Sequence, residues 1–312
     1  MSTSGPRTVL RALSAMEEYE LADYRTTFQA EHPDIALSIE RLSTRHLHAR
    51  VLQLGETDTW DVILGWAVTS LLDPAILALL DTIDQGILAL LSEEAVDPCR
   101  KWMSPSAFAP AFCISESPLR ELGLPVPSAW EDLADTRLRG AVCLPDPNVS
   151  GAGFLHLSAL VEERGLDDAV KVLAGVADND PIVVESAFAP CVAVLEKRAL
   201  VGVTVTTATE RLSRGRHNVV SVIPSDARRY EPEAFAINRH SPRRAECGLL
   251  LRWMTGVQAA RISAAYGKVV TTRAVAGEAC PLAPVDARAA VRHRSELCSI
   301  WSSLFEKVNR RD

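Results

Sequence analysis

Apolar residues fall along this chain in two periods. Thr8-Val-Leu-Arg-Ala-Leu13 and Asp61-Val-Ile-Leu-Gly65 are short, dense apolar runs that predict buried strands, while Ile35 to Glu40 alternates apolar with polar residues as a half-buried strand does. Between them, Tyr19 to Ala30 and His46 to Leu54 carry helical spacing, the second introduced by the capping pair Ser43-Thr44. The same unit of strand, loop and helix recurs. Further strands are predicted over Ala107 to Ile114, Gly140 to Leu144, Ile182 to Val184 and Leu200 to Val205, with extended segments near Val219 to Ile223 and Ala234 to Ile237. Helices are predicted after Phe154, from Ser186 through Leu195, over much of Glu246 to Tyr266, and over Ala287 to Lys307. This alternation predicts an α/β protein.

The order fits two α/β lobes, the second inserted into the first. Residues 1–113 with 235–312 form the discontinuous lobe 1, and residues 114–234 form lobe 2. Prolines and a fresh helix start in Leu124-Pro-Val-Pro-Ser-Ala-Trp-Glu-Asp-Leu133 suggest a crossing nearby. The first three strands end in small or hydroxylated residues, and in open parallel sheets ligands bind beyond the carboxyl ends of the strands. Pro145-Asp-Pro-Asn-Val-Ser-Gly-Ala-Gly-Phe154 adds a loop and helix start after a strand, where unpaired backbone N–H groups attract anions.

Composition narrows the function. With 312 residues, 47% hydrophobic and 23% charged, the chain can bury two ordinary cores. A net charge of −7 gives no general attraction to nucleic acid or to anionic membrane, so an anion needs a local site. No apolar run reaches the ~18 residues of a membrane span, since Ile76 to Leu91 is broken by Asp81, Asp84 and Gln85. Nor does Met-Ser-Thr-Ser-Gly-Pro-Arg read as the basic start of a secretory signal. Seven cysteines contain no CxxC pair, which favours buried free thiols.

Taken together, Ser14-Ala-Met-Glu-Glu18, Ser43-Thr44 before Ala49-Arg-Val-Leu52, Asp61 to Leu71, Pro127 to Leu133, Leu138-Arg-Gly140, Pro145 to Phe154 and Ala189-Pro-Cys191 resemble the extracytoplasmic solute-binding proteins of ABC importers. The likeness runs in order from about Val9 to Thr272 and is most similar to the branch assigned to ferric iron and 2-aminoethylphosphonate. The resemblance implies a two-lobed type II periplasmic-binding-protein-like fold with a ligand cleft between the lobes, hinge closure, and a periplasmic location. It also implies ABC permease and ATPase subunits as partners if the chain is exported. The solute expected is small and anionic or zwitterionic, resembling 2-aminoethylphosphonate, with no cofactor, no metal and no enzymatic step. Alternatives are a cytosolic ligand sensor or scavenger with the same fold, or a diverged enzyme on it.

Carried over by resemblance, the ligand-binding positions are Ser14 and Ala15 after the first strand, Ser43, Thr44 and Arg45 after the second, and Ala67 and Thr69 after the third. To these the resemblance adds Ser150, Gly151, Ala152 and Gly153, then Ser186 and Thr207; Tyr230 and Glu233 are further candidates from their position on the return segment. Several positions depart from the family pattern: Arg45 replaces a glycine, Ala152 a threonine, Ala187-Phe188 a Gly-Ser pair, and Thr206-Thr207 stands where an aromatic is frequent. Arg45 reads either as a bidentate partner for a carboxylate or phosphonate, or as a solvent-facing residue of the first helical turn. Val205-Thr-Thr207 lacks the adjacent tyrosines of the iron-binding members. Cys113 and Cys191 stand where relatives can carry cysteine, so a disulfide and two buried thiols are both open. His46 and His48, two residues apart, point in different directions on a helix and make a poor metal pair. Ser150-Gly-Ala-Gly153 is neither a Walker loop nor a dinucleotide fingerprint, and Arg211 to His217 reads as a solvated basic helix end.

Overall fold

The computed structural model describes residues 7–213, 218–275 and 281–306. In chain order its elements are β1 (Thr8–Ser14), α1 (Glu18–Glu31), β2 (Ile35–Arg41), α2 (Thr44–Leu54), β3 (Val62–Ala67), α3 (Val68–Leu71), α4 (Pro74–Leu77), α5 (Gln85–Leu88), β4 (Ser106–Phe108) and β5 (Pro110–Ser115). Then follow α6 (Glu116–Glu121), β6 (Val142–Pro145), α7 (Gly151–Arg164), α8 (Leu166–Asp178), β7 (Ile182–Val184), α9 (Ala189–Leu195), β8 (Val201–Val205), α10 (Thr206–Ser213) and β9 (Val219–Val222). The chain ends with β10 (Arg229–Ile237), α11 (Arg244–Met254), α12 (Val257–Ala265), β11 (Val269–Val270), β12 (Ala283–Pro284) and α13 (Ala287–Phe305). The apolar stretch Ile76 to Leu91 becomes two single-turn helices, each capped by the aspartate before it, Asp73 and Asp84. Of the basic cluster Arg211 to His217, residues 214–217 lie outside the described residues, as does Cys280.

The chain divides into two compact units. Unit 1 comprises Met1–Ala107 and Pro232–Cys280. Its sheet runs β11-β4-β10-β3-β1-β2, with β1 parallel to both β2 and β3 and β10 antiparallel to β3. Every residue of β3 is buried, as expected of a central strand written as a continuous apolar run. Its core gathers Leu10, Phe28, Leu64, Phe235, Leu250 and Trp253 among others.

Unit 2 comprises Phe108–Glu231 and Pro281–Asp312, around a sheet ordered β7-β6-β8-β5-β9. Here β6 is parallel to β7 and β8, and β5 is antiparallel to β8 and β9. Two of the boundaries fall inside β4 and β10.

A third passage lies at 280/281, and it corrects the expectation that everything after residue 235 belongs with the N-terminal lobe. The reason is hydrophobic. Leu297, Trp301 and Phe305 of α13 join Phe154, Leu173 and Val176 in the core of unit 2. Trp301 and Phe305 stack with centroids 3.9 Å apart. Burying a side chain of that size is worth ~1.5–3 kcal/mol. Periodicity predicts the helix, but not which core receives its apolar stripe.

Candidate functional site

In unit 1 the parallel register places the ends of β1, β2 and β3 side by side, with Ser14 opposite both Arg41 and Leu64. The loops carrying Ser14-Ala15, Ser43 to Arg45 and Ala67 to Thr69 therefore share one edge of the sheet. Ser14 is fully buried, and its Oγ donates to Leu64 O at 2.6 Å while accepting from Met16 N at 3.0 Å. That hydroxyl thus braces the first loop. Gly65 makes the brace possible: at φ +63° it has a left-handed backbone, and a Cβ there would stand 2.2 Å from Met16 Sδ.

Ser43 caps α2 and is exposed, with His46 Nδ1 at 2.8 Å from its Oγ. Arg45 is exposed and makes no ion pair among the described residues; Thr44 is half-buried. Ala67 and Thr69 are both 4% exposed at the start of α3. His48 Nε2 lies 2.8 Å from Asp73 Oδ2, so this histidine is committed to the cap of α4.

In unit 2 the parallel strands β6, β7 and β8 likewise bring their following loops to one edge. Ser150 caps α7, its Oγ accepting from Gly153 N at 3.3 Å. The amides of Gly151 and Ala152, in the first turn, have no intrahelical partner by the geometry of a helix start. Gly153 serves packing: a Cβ there would meet Pro145 O at 2.6 Å and Pro147 N at 2.8 Å, so glycine lets the helix start lie against its own loop. Ser186 is exposed, and its Oγ accepts from Phe188 N at 3.1 Å in a short turn. Thr207 is buried in the first turn of α10. Tyr230 is buried on β10, where its carbonyl accepts from Val285 N at 2.9 Å.

Glu233 has surroundings that its sequence context does not announce. Its carboxylate receives Lys268 Nζ at 2.8 and 2.9 Å and Ser106 Oγ at 2.7 Å. The same ammonium lies 2.5 Å from Glu20 Oε2. All three charged side chains are buried in unit 1. Burial raises the Glu20 pKa to about 7 against the pull of Lys268. Burial would depress Lys268, but the two carboxylates outweigh it and the pKa is raised. Sequence reading singles out Glu233 and misses Glu20 and Lys268. The three residues come from α1, β10 and the turn before β11, and no local pattern links them.

Cys113 and Cys191 are free thiols in this structure, both fully buried. The neighbouring Cys113 thiol and burial together push the Cys191 pKa up. Among the described residues no group of three or more His, Cys, Asp or Glu is arranged to hold a metal ion. No described helix is long and apolar enough to cross a membrane.

This architecture is that of periplasmic binding proteins. The substrate-binding protein of an ABC transporter from Agrobacterium tumefaciens superposes with a TM-score of 0.85 at 17% identity, over 96% of this chain and 94% of that one. AfuA from Actinobacillus pleuropneumoniae, a periplasmic binding protein with fructose-6-phosphate bound, gives 0.81 at 17% identity, covering 97% and 99%. Iron-bound HitA from Pseudomonas aeruginosa gives 0.79 at 17% identity, covering 95% and 99%. An uncharacterized protein of Haemophilus influenzae is 25% identical over 143 residues, 46% of this chain, and the chain spans only 41% of that relative. The bacterial extracellular solute-binding protein family matches residues 79–286, and the chain belongs to it.

Proposed function

We propose that this protein captures a small anionic or zwitterionic solute of the 2-aminoethylphosphonate kind and delivers it, without turnover, to the permease and ATPase of an ABC importer outside the cytoplasm. The observation that carries the reading is the convergence of hydroxyls and helix-start amides on one sheet edge in each unit of a solute-binding family member. Ser43 with Thr44, and Thr69, supply unit 1; Ser150 with the amides of Gly151 and Ala152, Ser186 and Thr207 supply unit 2. A tetrahedral oxyanion is satisfied by many short donors and by helix N-termini, without a fixed cation. In this reading the exposed Arg45 adds a charge, and Tyr230 is a further contact offered by β10. Ser14 and Glu233 act from beneath, holding the loops of unit 1 in place. Phenolate ligation of ferric iron finds no support at Val205-Thr-Thr207.

A thermal-shift panel tests this directly, with 2-aminoethylphosphonate, phosphate, a sugar phosphate, small carboxylates, amino acids and ferric citrate. A ligand at 100 times its Kd stabilises the fold by roughly 2.7 kcal/mol. The expected result is a selective shift with the phosphonate, lost in Ser43→Ala and Ser150→Ala. A shift with ferric citrate alone, or with none of the solutes, would overturn the reading.

A further inference from the structure

Glu20, Lys268 and Glu233 form a closed set of charges inside unit 1. One ammonium faces two carboxylates, and the side chains of Lys268, Glu20 and Glu233 are 1%, 3% and 6% exposed. The other titratable groups facing Glu20 are Tyr24 on the same helix, whose hydroxyl shares a hydrogen bond with Ser263 Oγ at 2.7 Å, and Glu17 at the helix start. Glu17 is itself paired with Arg41 at 2.9 Å, and nearby Asp23 accepts from the Tyr266 hydroxyl at 2.7 Å. If both cluster carboxylates were ionised, an uncompensated negative charge would sit in an apolar interior, which is costly. The set therefore favours keeping a proton among its carboxyls, and burial raises the Glu20 pKa in that direction.

The cluster lies at the roots of two solute loops. Glu20 belongs to the first turn of α1, directly after the Ser14-Ala15 loop. Glu233 faces Ala67 in the β10–β3 register, where β3 gives way to the turn bearing Thr69. The hydrogen bond from Ser106 ties the same carboxylate to β4.

We propose that this buried cluster is a proton-linked element of the solute site, so that an anion held by the loops of unit 1 binds best while the cluster keeps its proton. The inference rests on the solute-binding reading above. An ionised cluster places a fixed negative charge beneath the incoming anion, where screening by water is weak. By linkage, the anion strengthens proton binding as much as the proton strengthens anion binding. Binding near pH 7 then draws a proton from solvent. Affinity falls about tenfold between pH 6 and pH 8.5, within the ordinary range for coupled sites.

Titration calorimetry of the full chain tests this, with sulfate, phosphate and 2-aminoethylphosphonate as probes, at pH 7 in buffers of different ionisation enthalpy. Glu20→Gln keeps the size and an acceptor for Lys268 while fixing the uncharged form. The expected result is that the wild type takes up roughly half a proton more per solute bound than Glu20→Gln, a difference that cancels the solute's own titration. Equal uptake by both proteins, with binding intact, would overturn the linkage and leave the solute-binding reading standing. No heat from any probe would overturn both. Should Glu20→Gln fail to fold, the pH dependence of wild-type sulfate binding decides the matter. Sulfate does not titrate in this range, so an affinity flat from pH 6 to 8.5 would refute the proposal.

Discussion

Each unit holds a polar cluster in its dry core, and the two clusters are built in opposite ways. Unit 1 buries charge and balances it, with Lys268 held between Glu20 and Glu233. Unit 2 also buries carboxylates, Asp146, Asp226 and Glu231, but in the middle of its core it encloses a neutral imidazole. His156 is fully enclosed; its Nε2 donates to Thr204 O at 2.5 Å and its Nδ1 accepts from Trp130 Nε1 at 3.3 Å. Burial lowers its pKa to about 4, although the carbonyl bond opposes the shift. Burial likewise pushes the Cys143 thiol up to about 12. A satisfied neutral group costs little, whereas a charge set is stable only while every member is present. The difference teaches where each unit is vulnerable.

The largest effect expected is at the ammonium. Lys268→Met leaves two carboxylates buried without a counter-charge and should cost ~3–5 kcal/mol in urea unfolding, with hydrogen exchange rising in unit 1 ahead of unit 2. If unit 1 keeps its protection, the contrast fails.

Next comes pH, where His156 and Glu20 respond with opposite sign. The unfolded His156 binds protons below about 6.5 while the folded one resists to about 4. Its contribution to stability is therefore complete above pH 6.5 and disappears as pH falls through 4, a loss of about 3 kcal/mol. Glu20 behaves in reverse: with its folded pKa raised to about 7, its contribution is complete below 4.5 and disappears as pH rises through 7. Hydrogen exchange by mass spectrometry from pH 4 to 8 should show unit 2 loosening at the acid end and unit 1 at the alkaline end.

A smaller effect sharpens the neutral side. Trp130→Phe removes the donor to His156 Nδ1 and leaves a buried acceptor unpaired, for an expected loss of roughly 1–3 kcal/mol by thermal unfolding. The smallest tests whether the two caps are alike. Ser43→Ala and Ser150→Ala each delete a cap bond and should each cost ~1 kcal/mol, read by the same melts.

Much of the fold is legible in the sequence because local patterns determine it. The dense run Val62 to Ala67, the alternation after Ile35 and the Ser43 and Ser150 caps fix strands and helix starts within a few residues of chain. What escapes is anything assembled from distant segments. Lys268 stands in an unremarkable Tyr266-Gly-Lys-Val-Val270 and acquires its meaning only from Glu20 and Glu233, which lie far from it in the sequence. The stripe of Leu297, Trp301 and Phe305 announces a buried helix face without naming the core that covers it. Gly153 shows the converse: its loop reads as a ligand cradle, yet the glycine answers to the backbone of Pro145 and Pro147.

The return of α13 to unit 2 also has a consequence for how the chain is made. A ribosome emits ~5–20 residues per second, so the middle segment waits several seconds before the helix that completes its core emerges. Unit 1 waits too, since Phe235, Leu250 and Trp253 of its core follow the whole of that middle segment. Neither core is complete until its last segment has been made, so the contacts that close each unit form only near the end of synthesis.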